Sequence, residues 1–195
     1  MTLMLRLAWI LAAISSCTAK ADEWPAPRVT ESCSDSGEYC ATIYPEGYEG
    51  AIGVRAEIYR KTRNRRELLW KAELSNVGAP TDVVLAADGC CLVVFGDWGR
   101  EGFGSAAIAF YSRGRQLSTY ALEELFTKAE LERFPRSVTS RWWRYSQTLK
   151  TKNGTIIISL ACNDRACGEA KFNYKTGAFV GSRFQMKTPK SPIKR

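Results

Sequence analysis

The acidic residues Asp97 and Glu101 are the pair best placed to do chemistry in this sequence, because they flank a tryptophan in the short loop "GDWGREG". Glycoside hydrolysis uses two carboxylates, one as an acid and the other as a base or nucleophile. The indole of Trp98 could stack on a sugar ring beside them. In the alternative interpretation, which we favour, Asp97 caps a turn and Trp98 packs on a sheet edge, as in many β-protein loops.

The chain contains no histidine, which removes the usual general base of acyl-transfer triads and the commonest zinc ligand. Phosphate-binding glycine motifs are absent, and no two cysteines have C-x-x-C spacing. We therefore expect no metal and no cofactor. The composition favours a non-catalytic protein, with a histidine-free hydrolase that uses Asp97 and Glu101 as the alternative.

Cations and aromatic rings alternate in the segment "RWWRY", which contains Arg141, Trp142, Trp143 and Arg144. Such side chains can stack on sugars or bases, and a guanidinium can lie over an indole. Neighbouring residues on a strand face opposite ways, so we expect one tryptophan in the core and the other exposed or covered by a helix. Together with Trp98, the segment is a candidate ligand-binding surface, although core and edge packing is the favoured interpretation.

Five basic residues cluster in the polar loop between two alternating segments: Arg60, Lys61, Arg63, Arg65 and Arg66. Exposed charge of one sign attracts polyanions and is screened by salt. The expected partners are anionic envelope polymers or another envelope protein, without nucleic acid. In the alternative interpretation these side chains only keep a hairpin soluble and protect a sheet edge. The sequence leaves the oligomeric state open.

Residues 1–21 have the features of an export signal: Arg6, a short apolar stretch at residues 7–14, and small residues at positions 19 and 21. The apolar stretch is much shorter than the roughly 20 residues of a membrane-spanning helix. Cleavage after Ala21 predicts a periplasmic or extracellular protein. The segment "ISSC" instead allows lipoprotein cleavage before Cys17, and the lipid would then be the only membrane attachment.

Six further cysteines support export, because an even number in an oxidising compartment indicates disulfides. Local spacing and intervening turn residues favour Cys33–Cys40 and Cys162–Cys167. Cys90 and Cys91 would then be buried thiols, or one of them would pair with Cys33 or Cys40. If both lie on a strand, their side chains diverge, and a bond between them requires a distorted backbone.

The elements that must position these residues are strands. The segments "IGVRAEIY" and "ELLWKAEL" alternate apolar and polar residues around the basic loop, which predicts a hairpin. Asp88-Gly89 is a hairpin turn signal, and residues 91–95 are apolar on both faces, which predicts a central strand covered on both sides. The apolar residues between positions 122 and 133 recur at helical spacing, which predicts a helix that ends before Pro135.

We therefore predict an all-β, mainly antiparallel fold with one short helix near residues 122–133. The predicted organisation is an irregular N-terminal arm at residues 22–51, a single β domain at residues 52–184, and a basic disordered tail at residues 185–195.

A faint repeat relates "DGCCLVVF…AAIAFYSRGRQL" to "NGTIIISL…EAKFNYKTGAFV", with a weaker copy in "GAIGVRAEIYRKTRNRRELLW". The order of turn, strand, aromatic and glycine turn resembles the blade repeats of β-propeller proteins. Two or three units are fewer than the roughly four that a closed propeller needs, so an open sheet, a sandwich or a partial propeller remain possible. The segment "FGDWGREGFG" also resembles exported bacterial proteins, a resemblance that implies no activity.

Overall fold

The computed structural model describes residues 25–63, 65–150, 153–163 and 165–184. Their strands form three antiparallel sheets of four strands each, and the chain passes through the strands of each sheet in order. The first sheet contains β1 (Thr30–Cys33), β2 (Tyr39–Tyr44), β3 (Val54–Lys61) and β4 (Arg66–Leu74). The second contains β5 (Asp82–Leu85), β6 (Cys91–Phe95), β7 (Ile108–Ser112) and β8 (Arg115–Tyr120). The third contains β9 (Arg144–Lys150), β10 (Thr155–Cys162), β11 (Arg165–Asn173) and β12 (Ala178–Phe184).

The second sheet lies between the other two and is covered on both faces. Leu92 and Val94 of β6 belong to the core shared with the first sheet. Val93 and Phe95 belong to the core shared with the third sheet. All five residues of β6 are buried, which confirms the central, doubly covered strand expected from its apolar run.

Each sheet has the strand number and order of a propeller blade, so the all-β, mainly antiparallel prediction is confirmed. The repeats seen in the sequence correspond to β6–β8 and β10–β12, the last three strands of the second and third sheets. Their first strands, β5 and β9, lie outside the repeated motif. The weaker copy covers β3 and β4.

The tight turns of the second and third sheets contain glycine. Arg113 and Gly114 both have positive φ, of 47° and 84°, between β7 and β8. Two successive left-handed residues form the turn that matches the twist of a two-stranded ribbon. Asn153-Gly154 and Thr176-Gly177 likewise join β9 to β10 and β11 to β12.

The outer face of the first sheet is polar. Its centre is Glu57, which is only 9% exposed and accepts hydrogen bonds from the hydroxyls of Tyr59 and Tyr44. The Lys71 ammonium lies 2.5 Å from the other Glu57 oxygen. The hydrogen bonds from Lys71 and Tyr59 hold the pKa of the Glu57 carboxyl below its usual value. Because the Glu57 carboxylate has hydrogen-bond and ionic partners, its burial carries little penalty, and this face can remain in contact with water without an apolar cover.

The prediction of an irregular arm at residues 22–51 was wrong. Strands β1 and β2 lie inside it and pair with each other, and β2 also pairs with β3. Ala41 and Ile43 of β2 enter the core shared with the second sheet. The prolines on either side of this segment concealed a short strand pair that is closed by a disulfide.

Both disulfides favoured by spacing are present, Cys33–Cys40 and Cys162–Cys167. Each joins the ends of two paired strands, since Cys33 lies opposite Cys40 and Cys162 opposite Arg165 in the registers. Cys33 and Cys40 are therefore not available to Cys90 or Cys91. Two structural disulfides indicate an exported protein.

The single helix expected at residues 122–133 is instead two one-turn helices, α1 (Leu122–Leu125) and α2 (Lys128–Leu131). Phe126 between them is extended and buried. Thr127 then starts a new helix as its N-cap, in a capping box with Glu130. In the part of the chain that the structure describes, no helix has the length and apolarity to span a membrane. The predicted signal segment, residues 1–21, and the predicted disordered tail, residues 185–195, lie outside the described residues.

Candidate functional site

The first strands of the three sheets converge along one side of the stack, which we call the inner edge. β1 lies beside β5, where the Ser32 hydroxyl donates a hydrogen bond to the Val83 carbonyl at 3.4 Å. β9 meets β5 through side chains of Arg144 and Gln147. In a propeller this side would face the central channel.

Arg144 is the centre of a polar cluster at the inner edge, comprising Thr81, Asp82, Glu101, Arg144 and Gln147. Its Nε donates to Glu101 Oε1 at 2.8 Å, and one terminal nitrogen donates to Asp82 Oδ2 at 2.9 Å. The same nitrogen lies 3.2 Å from Gln147 Oε1, and the other lies 3.3 Å from Thr81 Oγ1. Gln147 Nε2 also donates to Asp82 Oδ2, at 2.6 Å.

This inner-edge cluster acts as a clamp between the second and third sheets. The Arg144 side chain is 12% exposed, and its guanidinium lies 4.6 Å from the centre of the Phe95 ring. Four hydrogen bonds use most of the five donors of the guanidinium. The cation is thus neutralised and fixed by residues of the chain itself, and little of it is left for an anionic ligand.

Asp97 fixes a loop. Its Oδ1 accepts hydrogen bonds from the Val77 backbone at 2.9 Å and from Asn76 Nδ2 at 3.2 Å, while Oδ2 faces Gly104. Burial raises the pKa of the Asp97 carboxyl above its usual value. The predicted carboxylate pair is therefore divided: Asp97 holds the loop at residues 76–78, and Glu101 holds Arg144.

Trp98 is partly buried and anchors the N-terminal segment, because its indole nitrogen donates to the Pro25 carbonyl at 2.9 Å. A sheet-edge role of this kind was the favoured interpretation of the loop.

In the "RWWRY" segment, Trp143 is fully buried and Trp142 is 42% exposed. Arg141 Nη1 lies 3.2 Å from Glu123, and its guanidinium stacks on Phe103 at 5.2 Å. Of the predicted ligand-binding side chains in this segment, Trp142 alone is largely exposed. Tyr145, the last residue of the same segment, is 60% exposed.

The basic hairpin tip, residues 60–66, projects from the first sheet. Arg60 pairs with Glu38 at 2.9 Å, Lys61 lies 4.0 Å from Glu31, and Arg66 also pairs with Glu31. Arg63 and Arg65 are exposed and make no ion pair with the described residues. The tip therefore keeps two uncommitted guanidinium groups.

One group of described residues has the proximity of metal ligands: Glu31, Cys33 and Cys40. The two sulfurs are bonded to each other, and a disulfide sulfur is not the thiolate that metals bind. This group is therefore a poor metal site.

Sequence reasoning missed Thr81, Asp82 and Gln147. Asp82 lies 62 positions from Arg144, and Thr81 lies 63. The spacing of neighbouring residues does not predict a contact between side chains so far apart in the sequence. A polar residue at the start of an otherwise apolar strand, as Asp82 is in β5, was the available signal.

No family model and no curated protein matches the chain. A candidate 6-phosphogluconolactonase from Bacteroides fragilis is 11% identical, with a TM-score of 0.44 over 81% of this chain and 39% of that one. The periplasmic gluconolactonase of Pseudomonas aeruginosa is 14% identical, with a TM-score of 0.46 over 80% of this chain and 44% of the other. A fragment of HIRA is 12% identical, with a TM-score of 0.35 over 84% of this chain and 57% of the fragment. The chain thus spans less than two thirds of each structure, and its activity has to be inferred from its own residues.

Proposed function

We propose that this chain is an exported, non-catalytic β-blade domain that binds an anionic polymer of the cell envelope through its basic hairpin tip. The observation that carries the proposal is the contrast between Arg63 and Arg65, exposed and unpaired among the described residues, and the carboxylates and Arg144, which are fixed by internal hydrogen bonds. Groups that are free to bind lie at the tip. Groups that would do chemistry are committed to holding the fold.

The charge at the tip supports this choice. Five cations are present between residues 60 and 66, while the nearby acids are Glu31, Glu38 and Glu67. The excess positive charge is displayed on a projecting hairpin, where water and salt reach it. Binding by such a surface is electrostatic, so it weakens with ionic strength.

The proposal predicts that reversing both free charges, R63E with R65E, weakens binding to lipopolysaccharide by about tenfold or more. Binding of the unchanged protein should weaken as salt rises, and the double variant should show a flatter salt dependence. The matched control is R115E with R165E, which makes the same charge change at two exposed arginines elsewhere. Equal loss in both double variants, or binding that ignores salt, would contradict a role for the tip.

Hydrolysis is the second candidate function, because burial raises the pKa of the Asp97 carboxyl, and a general acid needs a shift in that direction. The substrates to test are gluconolactone, named for the Pseudomonas aeruginosa structure, and chromogenic glycosides. The binding proposal predicts no turnover above background. Turnover that disappears in D97N and E101Q, with both variants folded, would instead establish the hydrolase.

The proposal also includes how the exported protein is held in the envelope, by a lipid anchor or not at all. Cys17 and Ala21 lie outside the described residues, so the lipid-anchored and soluble forms remain alternatives. Either form keeps the hairpin tip in the compartment where envelope polymers are found.

A further inference from the structure

Cys90 and Cys91 are the described cysteines outside the two disulfides, and their sulfurs lie 2.9 Å apart. Both side chains contact the core between the second and third sheets. Cys91 is buried and Cys90 is partly exposed, so the pair meets the surface through Cys90. Two thiols at this distance are in direct contact, although a covalent bond of about 2.05 Å would still have to form.

The side chains would diverge if both cysteines lay on a strand, but Cys90 does not lie on one. β6 begins at Cys91, so Cys90 belongs to the preceding turn and not to the strand. Gly89 has φ of +67°, and the Asp88 carboxylate accepts a hydrogen bond from the Cys90 backbone at 3.1 Å. This turn rotates Cys90 so that its sulfur lies on the same side as that of Cys91.

We propose that Cys90 and Cys91 form a reversible vicinal disulfide, closed by exchange with a protein or small-molecule disulfide of the exported compartment. One cysteine attacks that disulfide, a mixed disulfide forms, and the first thiol of the oxidant leaves. The second cysteine then attacks the sulfur of the first, the Sγ–Sγ bond forms, and the second thiol leaves. The two cysteines are oxidised, the external disulfide is reduced to two thiols, and the two cysteine protons pass to the leaving groups.

Adjacency makes this bond reversible. Neighbouring Cα atoms are about 3.8 Å apart, whereas disulfides usually join Cα atoms at least about 4.4 Å apart. A ring closed between neighbours is strained, and strain makes a disulfide easier to reduce. This pair is therefore suited to a redox response. The bonds Cys33–Cys40 and Cys162–Cys167 have a structural role, since each joins the ends of two paired strands.

The surroundings of the pair set its rate of exchange. Burial raises the pKa of the Cys90 thiol well above its usual value, and Asp88 and Cys91 beside it raise that pKa further. Tyr174 and Lys175 are also titratable groups near this turn, the Tyr39 ring packs against Gly89, and the Arg113 backbone amide donates to the Cys90 carbonyl. Because the thiolate is the attacking species, closure should be slow at neutral pH and faster in alkaline buffer.

The test is a peptide map of the intact protein. The protein is incubated to equilibrium with oxidised glutathione in alkaline buffer, and is then denatured in the presence of iodoacetamide, which alkylates the remaining free thiols. The tryptic peptide from Ala72 to Arg100 contains no other cysteine. We expect this peptide to carry no alkyl group and to lack two hydrogens. After reduction, the same peptide should carry two alkyl groups.

Single variants distinguish a ring from two independent thiols. In C90S and in C91S the resolving thiol is missing, so the remaining cysteine should retain one glutathione, whereas the unchanged protein should retain none. Far-UV circular dichroism confirms that each variant is folded. Glutathione retained on the unchanged peptide, or full alkylation of both cysteines after oxidation, would overturn the proposal.

An optical readout follows from Trp70, whose indole nitrogen donates to the Gly89 carbonyl at 2.8 Å, next to Cys90. Closing the ring should change the fluorescence of the unchanged protein, and the change should be much smaller in W70F. The map and the optical signal should follow the same redox titration.

Discussion

Replacing Trp143 by alanine should lower the free energy of unfolding by about 3 to 5 kcal/mol. Trp143 is fully buried, and its ring contacts Phe95 of the second sheet and Phe126 between the two short helices. Truncation would leave a cavity between the second sheet, the third sheet and the two short helices, which cannot all move inward to fill it. Urea unfolding followed by circular dichroism measures the loss.

The adjacent tryptophan is the matched control. Trp142 is 42% exposed, so W142A should cost about 1 kcal/mol or less. The two variants remove the same side chain from neighbouring positions, and only the burial differs. Equal losses would contradict the difference in burial between the two tryptophans, and a larger loss for W142A would mean that the segment faces the opposite way.

The second large effect concerns Arg144. R144A should lower the free energy of unfolding by about 3 to 5 kcal/mol, because it leaves Glu101 and Asp82 without the cation that compensates them. Glu101 is itself only 16% exposed, so water cannot fully replace the lost hydrogen bond. The same unfolding experiment applies. R144K should be intermediate, since lysine restores the charge but not the several directed donors.

An exposed ion pair provides the comparison for Arg144. Arg60 and Glu38 are separated by 2.9 Å but are largely in solvent, where the pair is screened. R60A should therefore leave the unfolding midpoint almost unchanged. If R144A and R60A behaved alike, the inner-edge cluster would not be the clamp described above.

The parts of the fold that the sequence predicted are those controlled by neighbouring residues. Alternation placed β3 and β4, glycine turns placed the hairpin ends, and the doubly apolar run at residues 91–95 identified the central strand. Both disulfides followed from short spacing. These features depend on contacts over a few residues, which the order of residues displays directly.

The parts that were missed depend on longer-range or more subtle contacts. β2 pairs with β3, and β1 is held to β2 by its own pairing and by the Cys33–Cys40 bond, in a segment whose composition suggests a loop. Helical periodicity continued across Phe126, but a buried extended residue divides the helix there. Asp82 and Arg144 come together only when the second and third sheets pack.

The candidate site divides in the same way. The cations of the hairpin tip are exposed, because a charge cluster in a turn reaches solvent in almost any hairpin, and their role in binding stays a prediction. Pattern could not decide whether Asp97 and Glu101 act together, since that depends on the partners of each carboxylate. The structure assigns those partners to Val77, Asn76 and Arg144.

Hydrogen exchange with and without lipopolysaccharide tests the central functional claim most directly, because it reports which residues are covered. The account predicts that added lipopolysaccharide slows exchange in peptides spanning residues 60–66, and that high salt abolishes the effect. Peptides containing residues 97–101 and 144–147 should be unaffected. Protection confined to those inner-edge peptides, with the hairpin tip unchanged, would contradict the account.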